Sequence, residues 1–493
     1  MAIPFSQFRP ITSTTGPFSS FLLLIKLFLL ISVCASLFIV NCHGFSIKEA
    51  SIQDIQLTFK NNILTSRQLV QHFIQEIQTL NPILNAVIEV NPDVLSQADK
   101  ADIERKMPRP SSLKPLGELH GIPILLKDNI ATKDKLNTTA GSFALLNSVV
   151  PRDAGVMRKL RKAGALIMGK ASLSEWSHFR GTTVPSAWCG RSKQGVNPYV
   201  ILSKIPFSRG PCGSSSGSAI SVAANLVTVP MCKTVSDAVY VLNSIVGFDP
   251  NDAVATSSAA KFIPKDGYSH YLKKDGLRGK RLGIVRIFFD GPLLQLFEGH
   301  IETLRQAGAV IVDNLEIDNI QTIYDPSSGE MPAMLSEFKQ SLNVYLKDLV
   351  TSPVRSLADV IAFNKNNPSL EITDVYDQNT MIDAEKTRGN EAERQGALLN
   401  MQKLDNEGFK SMMIKNNLDA VVTPGNSFST VLAIGGHPGI IVPAGYEDDG
   451  MPVGICFGGL RGSEPKLIEI AYGFEQITLI RKPPPSTTFI SDV

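Results

Sequence analysis

The sequence has 493 residues, of which 43% are hydrophobic and 19% are charged, so the chain can bury a large core and is neither disordered nor fibrous. Its 48 Lys and Arg residues against 46 Asp and Glu residues give a formal net charge of +2. No long-range field therefore draws the chain to nucleic acid or to an anionic membrane, and a small-molecule substrate is favoured over either partner.

The N-terminal segment has the pattern of a secretory signal. Phe21 to Val40 is apolar apart from Lys26 and three small polar or soft residues, and small residues ending at Gly44 suit signal-peptidase cleavage. We expect a signal peptide over residues 1–44, a mature domain over 45–493, and an extracellular or vacuolar protein with no membrane anchor after cleavage. The alternative is an uncleaved anchor, which Lys26 and the cleavage-like site disfavour.

The cysteines and one glycosylation sequon also concern entry into the secretory route. Cleavage would leave Cys189, Cys212, Cys232 and Cys456, too few for a disulfide scaffold, so the core must hold the fold. Asn137-Thr138-Thr139 is a glycosylation sequon and predicts a glycoprotein only if the chain enters the secretory route.

The first predicted element is an amphipathic helix. Thr65 or Ser66 can cap a segment whose apolar residues recur at helical spacing, and Pro82 is expected to end it. The stretch from Met107 to Pro115 has three prolines and indicates an exposed connection.

Helices and buried strands alternate over the rest of the chain. A strand is expected to begin in Gly121 to Leu126, and a helix over 156–163 precedes a strand over 165–169. Further units cover 282–312 and lead into 418–423, and helices around 335–349 and 381–404 are interpreted as insertions that flank the sheet. The pattern predicts an α/β fold whose sheet is covered by helices on both faces.

Two features of the sequence could take part in ligand binding or catalysis. Cys212 to Ile220 is a dense Gly/Ser loop that runs into a helix, where backbone amides can face a ligand. Lys127 stands where a strand should end, and a buried lysine can lose its proton and act as a base. Each has an ordinary alternative: the loop as a flexible linker or anion-binding turn, and the lysine as a solvated strand end.

Taken together, several motifs resemble the amidase signature family, and in particular its plant secreted amidase-like members. The matching stretches are Gly121 to Asn129, Gly164 to Lys170, Asn197 to Tyr199, Gly213 to Ala219, Gly435 to Gly439, Val442 to Gly445 and Pro452 to Ile455. They span most of residues 45–480 in the family's order. The resemblance implies a mixed, twisted central sheet and hydrolysis of small-molecule amides.

The resemblance also implies a mechanism with two serines and a lysine. Lys127 would take a proton through Ser214, a serine held next to a cis peptide, and Ser214 would activate a second serine that attacks the carbonyl and forms an acyl-enzyme. The family's attacking serine lies roughly two dozen residues further on, in a loop rich in Gly, Thr and Asp. No such loop follows here, so no nucleophile can be assigned.

The missing loop indicates an internal deletion of several dozen residues between about Val229 and Pro230, which would also remove part of the core. Ser236 lies at nearly the right distance, but its neighbours have helix-start chemistry, with Ser236 or Thr234 as the cap. The stretch 202–209 is longer and more basic than the family pattern. This stretch and the missing loop therefore flank one region of the chain.

Three hypotheses about the function follow. The first is an amide hydrolase represented by a truncated, inactive isoform or a misassembled gene; the second is a non-catalytic relative that binds amides or a partner. The third, a transamidase subunit acting on aminoacyl-tRNA, conflicts with the signal segment and the low net charge. No motif calls for a metal or a cofactor, and His437 is interpreted as a turn or pocket residue. The sequence does not identify the substrate or the oligomeric state.

Overall fold

The computed structural model describes residues 45–108, 110, 115–199, 210–229, 233–291, 293–387 and 391–485. The chain divides into residues 1–47, of which only 45–47 are described, and a compact unit over residues 48–493. The predicted signal peptide, most of the 107–115 connection, the 202–209 stretch and Pro230 therefore lie outside the described residues. Within the described part, no helix is long and apolar enough to cross a bilayer.

Helices and strands alternate along the second unit. The helices are α1 (Ile52–Lys60), α2 (Ser66–Leu84), α3 (Val94–Lys106), α4 (Gly155–Lys162), α5 (Glu175–His178), α6 (Ser216–Ala223), α7 (Val235–Ile245), α8 (Ala253–Ala260), α9 (Leu294–Gln306), α10 (Ile320–Tyr324), α11 (Glu330–Asp348), α12 (Leu357–Asn366), α13 (Pro368–Glu371), α14 (Asn379–Lys386), α15 (Glu391–Glu407), α16 (Phe409–Lys415), α17 (Ser429–Gly435) and α18 (Glu464–Thr478). The strands are β1 (Val87–Val90), β2 (Pro123–Lys127), β3 (Leu166–Ala171), β4 (Trp188–Cys189), β5 (Lys193–Gln194), β6 (Arg281–Val285), β7 (Val310–Leu315), β8 (Ala420–Pro424), β9 (Gly439–Tyr446) and β10 (Pro452–Gly458).

The described strands form two mixed sheets and a short ribbon of β4 and β5. The smaller sheet has the order β1-β3-β2, with β2 parallel and β1 antiparallel to β3. The larger sheet has the order β7-β6-β8-β10-β9, in which β6 is parallel to β7 and β8 and the remaining pairs are antiparallel. The predicted α/β class with mixed strands is confirmed.

Helices cover both faces of the larger sheet, because neighbouring strand residues enter different cores. Val422 and Phe457 pack with residues of α7, α9 and α18, whereas Val421 and Cys456 pack with residues of α16 and α17. This alternation follows from the two-residue period of side chains along a strand.

The first long helix begins as expected and ends later. Thr65 caps α2 by accepting the backbone N–H of Gln68. The prediction that Pro82 ends the helix was wrong by two residues, since α2 continues to Leu84 and Asn85 closes it in the left-handed conformation. A proline in the last turn removes one backbone donor without preventing the turn, because few further helical bonds remain to be made.

Val229, the residue before the suspected deletion, lies beside β2. Val229 pairs with Ile124 in the parallel direction, and the N–H of Leu125 donates to the carbonyl of Val229 at 3.1 Å. Val229 therefore lies on the side of β2 opposite β3, level with the first half of the strand.

Candidate active site

Lys127 and Ser214, which are 87 positions apart, meet at the end of β2. The Nζ of Lys127 donates to the Oγ of Ser214 at 2.8 Å, and the Gly213–Ser214 peptide bond is cis. Both side chains are partly buried, and burial lowers the pKa of Lys127 from its ordinary value. A lysine that loses its proton more readily can accept one from the hydroxyl it contacts.

The Gly/Ser loop reaches Lys127 because α6 packs very closely on the end of β3. The N–H of Gly217 donates to the carbonyl of Ser172 at 3.0 Å. A Cβ on Gly217 would lie 2.5 Å from the Ser172 nitrogen and 2.5 Å from the Ala86 oxygen, so only glycine fits there. On the other side of the loop, the N–H of Ser174 donates to the carbonyl of Ser214 at 3.0 Å.

Two more ionisable groups lie next to this pair. Asp128 is fully buried, accepts the N–H of Gly141 at 3.0 Å and the hydroxyl of Thr139, and has its pKa raised by burial. Lys170 on β3 is also fully buried; its Nζ donates to the Ile130 carbonyl at 2.8 Å, and burial lowers its pKa to about 8. The sequence analysis quoted both residues within motifs and gave them no role; their place at strand ends was the only available signal.

A cavity of about 320 Å³ lies between α11 and the chain around Asn129 and Trp176, and neither Lys127 nor Ser214 lines it. We call it the aromatic pocket, and it is lined by Asn129, Thr138, Ala140, Leu145, Trp176, Ser177, Phe179, Phe338, Leu342 and Tyr345. Asn129 is two residues beyond Lys127, and α11 supplies the last three residues. A larger cavity, of about 970 Å³, lies elsewhere, against α4, α7 and α8, and neither Lys127 nor Ser214 lines it either.

A buried ion group, formed by Arg180, Glu175 and Glu371, holds the segment that follows Ser174 in place. The sequence analysis missed it. Arg180 is fully buried, and its Nη1 lies 2.6 Å from Glu175 and 3.5 Å from Glu371. Its Nη2 donates to the carbonyls of Glu371 and Tyr376. Burial and the neighbouring Glu371 raise the pKa of Glu175 to about 8. The group fastens the α13 region to the residues that directly follow Ser174.

The serine considered as a substitute nucleophile lies in the first turn of α7. Thr234 caps this helix by accepting the N–H of Asp237 at 3.1 Å, and Ser236 forms a hydroxyl contact with Thr234 at 2.9 Å. The predicted helix start is confirmed, with Thr234 as the cap.

His437 has both ring nitrogens occupied by protein partners. Its Nε2 lies 2.8 Å from Asp405, and its Nδ1 accepts the N–H of Arg461 at 3.0 Å. Within the ranges described above, no group of three or more His, Cys, Asp and Glu residues could hold a metal ion.

The residues of the glycosylation sequon, Asn137 to Thr139, make contacts within the fold. The side-chain nitrogen of Asn137 donates to both carboxylate oxygens of Glu89, at 3.2 and 3.1 Å, and Thr139 is fully buried. A glycan on that nitrogen would displace the contact with Glu89.

Comparisons with known proteins give the family. A family model described as Amidase matches residues 68–229. A probable amidase of Arabidopsis thaliana is 50% identical over 509 aligned positions, which cover 94% of this chain and 96% of the relative. Because 94% of 493 residues is about 463, about 46 of those positions face a gap in this chain.

Solved structures of amidases are also similar to this chain. A peptide amidase from Stenotrophomonas maltophilia superposes with a TM-score of 0.80 at 35% identity, covering 89% of this chain and 99% of that one. An amidase family protein from Bacillus anthracis also gives 0.80, at 27% identity over 90% of this chain and 96% of that one. The fold, the motifs and the half-identical relative agree, and the chain belongs to the amidase signature family of amide C–N hydrolases.

Proposed function

We propose that this chain retains the base and the bridging serine of a serine, cis-serine and lysine amide hydrolase but does not turn over amides, because its attacking serine is absent. The observation that carries the proposal is the contact between Lys127 Nζ and Ser214 Oγ at 2.8 Å, next to a cis peptide, without the family's nucleophile loop after it. In the intact mechanism, Lys127 would draw a proton through Ser214 and later return it to the departing nitrogen.

Three observations support a deletion at the junction after Val229. The family match ends at Val229, and the alignment with the relative from Arabidopsis contains gaps of about 46 positions in all along this chain. Val229 pairs along β2, and α7 begins only six residues later at Val235. A loop that carries a nucleophile and its oxyanion donors has no room in so short a connection.

Hydrolysis assays of the purified chain, with its mass verified, test the proposal. Because a peptide amidase is among the similar structures, peptide amides are assayed beside simple amides, with an active family member as the positive control. We expect no turnover above blank, since removing the nucleophile of a related hydrolase costs about a millionfold.

A matched variant separates true activity from contamination. Turnover that Lys127→Met abolishes would overturn the proposal, whereas a rate unchanged in Lys127→Met belongs to a contaminant. Labelling by a serine-directed acylating probe, mapped to Ser214 or Ser236, would also overturn it.

We further propose that the chain enters the secretory route and is cleaved after Gly44. Residues 1–44 support this by sequence alone. N-terminal sequencing of the protein exported by a eukaryotic host should begin at Phe45. On that route the sequon predicts a glycan on Asn137, so treatment with a peptide N-glycosidase should lower the mass of the exported product.

A second candidate function is non-catalytic binding of amides. The aromatic pocket favours it, because its lining includes Asn129, two residues beyond Lys127, and all of its lining residues lie outside the junction. Binding without turnover would leave ligands intact after prolonged incubation.

A further inference from the structure

We propose that the larger cavity, against α4, α7 and α8, binds an aliphatic amine in its ammonium form, with the ammonium group at Glu464 and Tyr268 and the apolar chain between α7 and α8. We call this space of about 970 Å³ the α8 cavity. Because neither Lys127 nor Ser214 lines it, the inference concerns a second site and does not depend on the proposed function.

Part of the lining of the α8 cavity is apolar. Leu242, Ile245 and Val246, at the C-terminal end of α7, contribute to it, and α8 adds Ala255 and Ala259. Ligand sites in proteins measure roughly 300 to 1,000 Å³, so a space of about 970 Å³ is large enough for a chain of several carbons. Such a chain gains free energy by leaving water for this lining.

The helix α8 has an apolar composition but no buried face. Its eight residues, Ala253–Ala260, include no charged side chain, and none of them is buried. Ala255 and Ala259 line the cavity and are nevertheless exposed. The chain before α8 is held by Asp249, whose carboxylate lies 3.0 Å from Arg158. An occupant of the cavity would remove the inner side of α8 from water.

Two polar side chains that line the cavity lack protein partners. Tyr268 is 3% exposed, and its hydroxyl has no hydrogen-bonding partner in the part of the chain that the structure describes. Glu464, the first residue of α18, forms no ion pair with a described residue, and its Oε2 is buried without a hydrogen bond. Burial and the negative charge of Glu464 raise the pKa of the Tyr268 phenol, so the two groups lie near each other.

An ammonium group supplies what this pair lacks. It carries three donors, so it can bind the carboxylate of Glu464 and the hydroxyl oxygen of Tyr268 at the same time. Phe262 also lines the cavity and packs against Gly462, two residues before Glu464. The aromatic faces of Phe262 and Tyr268 attract a cation as well.

The cationic residues of the lining have interactions of their own. Lys159 donates to two carbonyls at the end of α7, and Arg461 donates to two at the end of α17. Arg152 pairs with Asp348, and Lys261 is exposed and lies 5.0 Å from the centre of the aromatic ring that follows it. An anionic ligand would therefore meet an unpaired carboxylate, whereas an ammonium group would neutralise it.

Three ligands with the same chain test the ligand class. In calorimetric titrations of the purified chain at pH 7, where primary amines are protonated, we expect octylammonium to bind saturably. Octanoate and 1-octanol should bind about tenfold or more weakly, because neither brings a cation to Glu464. Butylammonium should also bind more weakly, since each methylene contributes up to about fourfold. No saturable binding of octylammonium, or equal affinities for the three octyl ligands, would overturn the inference.

A charge-removing variant tests the place of the ammonium group. Glu464→Gln keeps the shape of the side chain, so octylammonium should bind about tenfold or more weakly while the affinity for 1-octanol stays the same. Asp252→Asn is the matched control, because Asp252 lines the same cavity but is exposed, and it should change the affinity less than about twofold. Equal losses in the two variants would contradict pairing at Glu464.

A pair of variants on α8 tests the place of the apolar chain. Ala259→Trp should fill the cavity and abolish binding, whereas Val254→Trp, at a position that is 90% exposed and outside the lining, should retain it. In the unchanged chain, octylammonium should slow hydrogen exchange of the α8 amides. Equal affinities of the two variants, or exchange in α8 that the ligand leaves unchanged, would overturn the assignment to this cavity.

Discussion

The backbone N–H of Ser174 donates to the carbonyl oxygen of Ser214 at 3.0 Å. The residue after Ser174 is Glu175, one member of the buried ion group around Arg180. The position of Ser214 therefore depends on contacts that extend to α13, where Glu371 lies 191 positions beyond Arg180.

Arg180→Met should destabilise the fold by about 3 to 5 kcal/mol, because it leaves the carboxyl groups of Glu175 and Glu371 buried without the cation that both contact. Arg152→Met is the matched control: its ion pair with Asp348 is about half exposed on both sides and should contribute less than about 1 kcal/mol. Denaturant unfolding measures both. Similar midpoints for the two variants would show that the buried group stabilises little.

Gly217→Ala should destabilise by about 1 to 3 kcal/mol, since the new methyl group would overlap backbone atoms of Ser172 and Ala86. Gly299→Ala, in the middle of α9 with open space around it, should instead stabilise by about 0.5 to 1 kcal/mol. Thermal unfolding of the two variants should shift in opposite directions. Shifts of the same sign would contradict the close packing of α6 on β3.

Thr234→Ala should cost about 1 kcal/mol, because it removes the side-chain acceptor that caps α7. Ser236→Ala should cost less than about 0.5 kcal/mol, since Ser236 only contacts the capping hydroxyl. Urea unfolding at fixed pH distinguishes the two. A larger loss for Ser236→Ala would reassign the cap.

Lys170 predicts a specific pH dependence of stability. Its pKa is about 8 in the folded protein and 10.5 for a free side chain, so between these values the unfolded state binds more protons and the free energy of unfolding rises with pH. The rise is at most about 3 kcal/mol and is absent in Lys170→Met. We expect the stability of the wild type relative to Lys170→Met to increase from pH 7.5 to 10; parallel curves would show that Lys170 titrates normally.

Much of the fold could be predicted because local chemistry determines it. The strand over Pro123–Lys127, the helix start at Thr234 and the alternation over 281–315 follow from short apolar runs, a capping side chain and periodicity, all of which act between near neighbours. The end of α2 was misplaced because one missing backbone donor shifts a helix terminus only weakly.

By itself, the sequence determined the α/β class and the motif positions of Lys127 and Ser214, since these depend on residue types and their spacing. Only the tertiary structure decided that Lys127 Nζ lies 2.8 Å from Ser214 Oγ, that Arg180 joins Glu175 to Glu371, and that α11 closes an uncharged pocket beside Asn129. Each of these contacts joins residues far apart in the chain. Burial then sets their pKa values and pairing energies, and burial is a property of the packed molecule that no local pattern encodes.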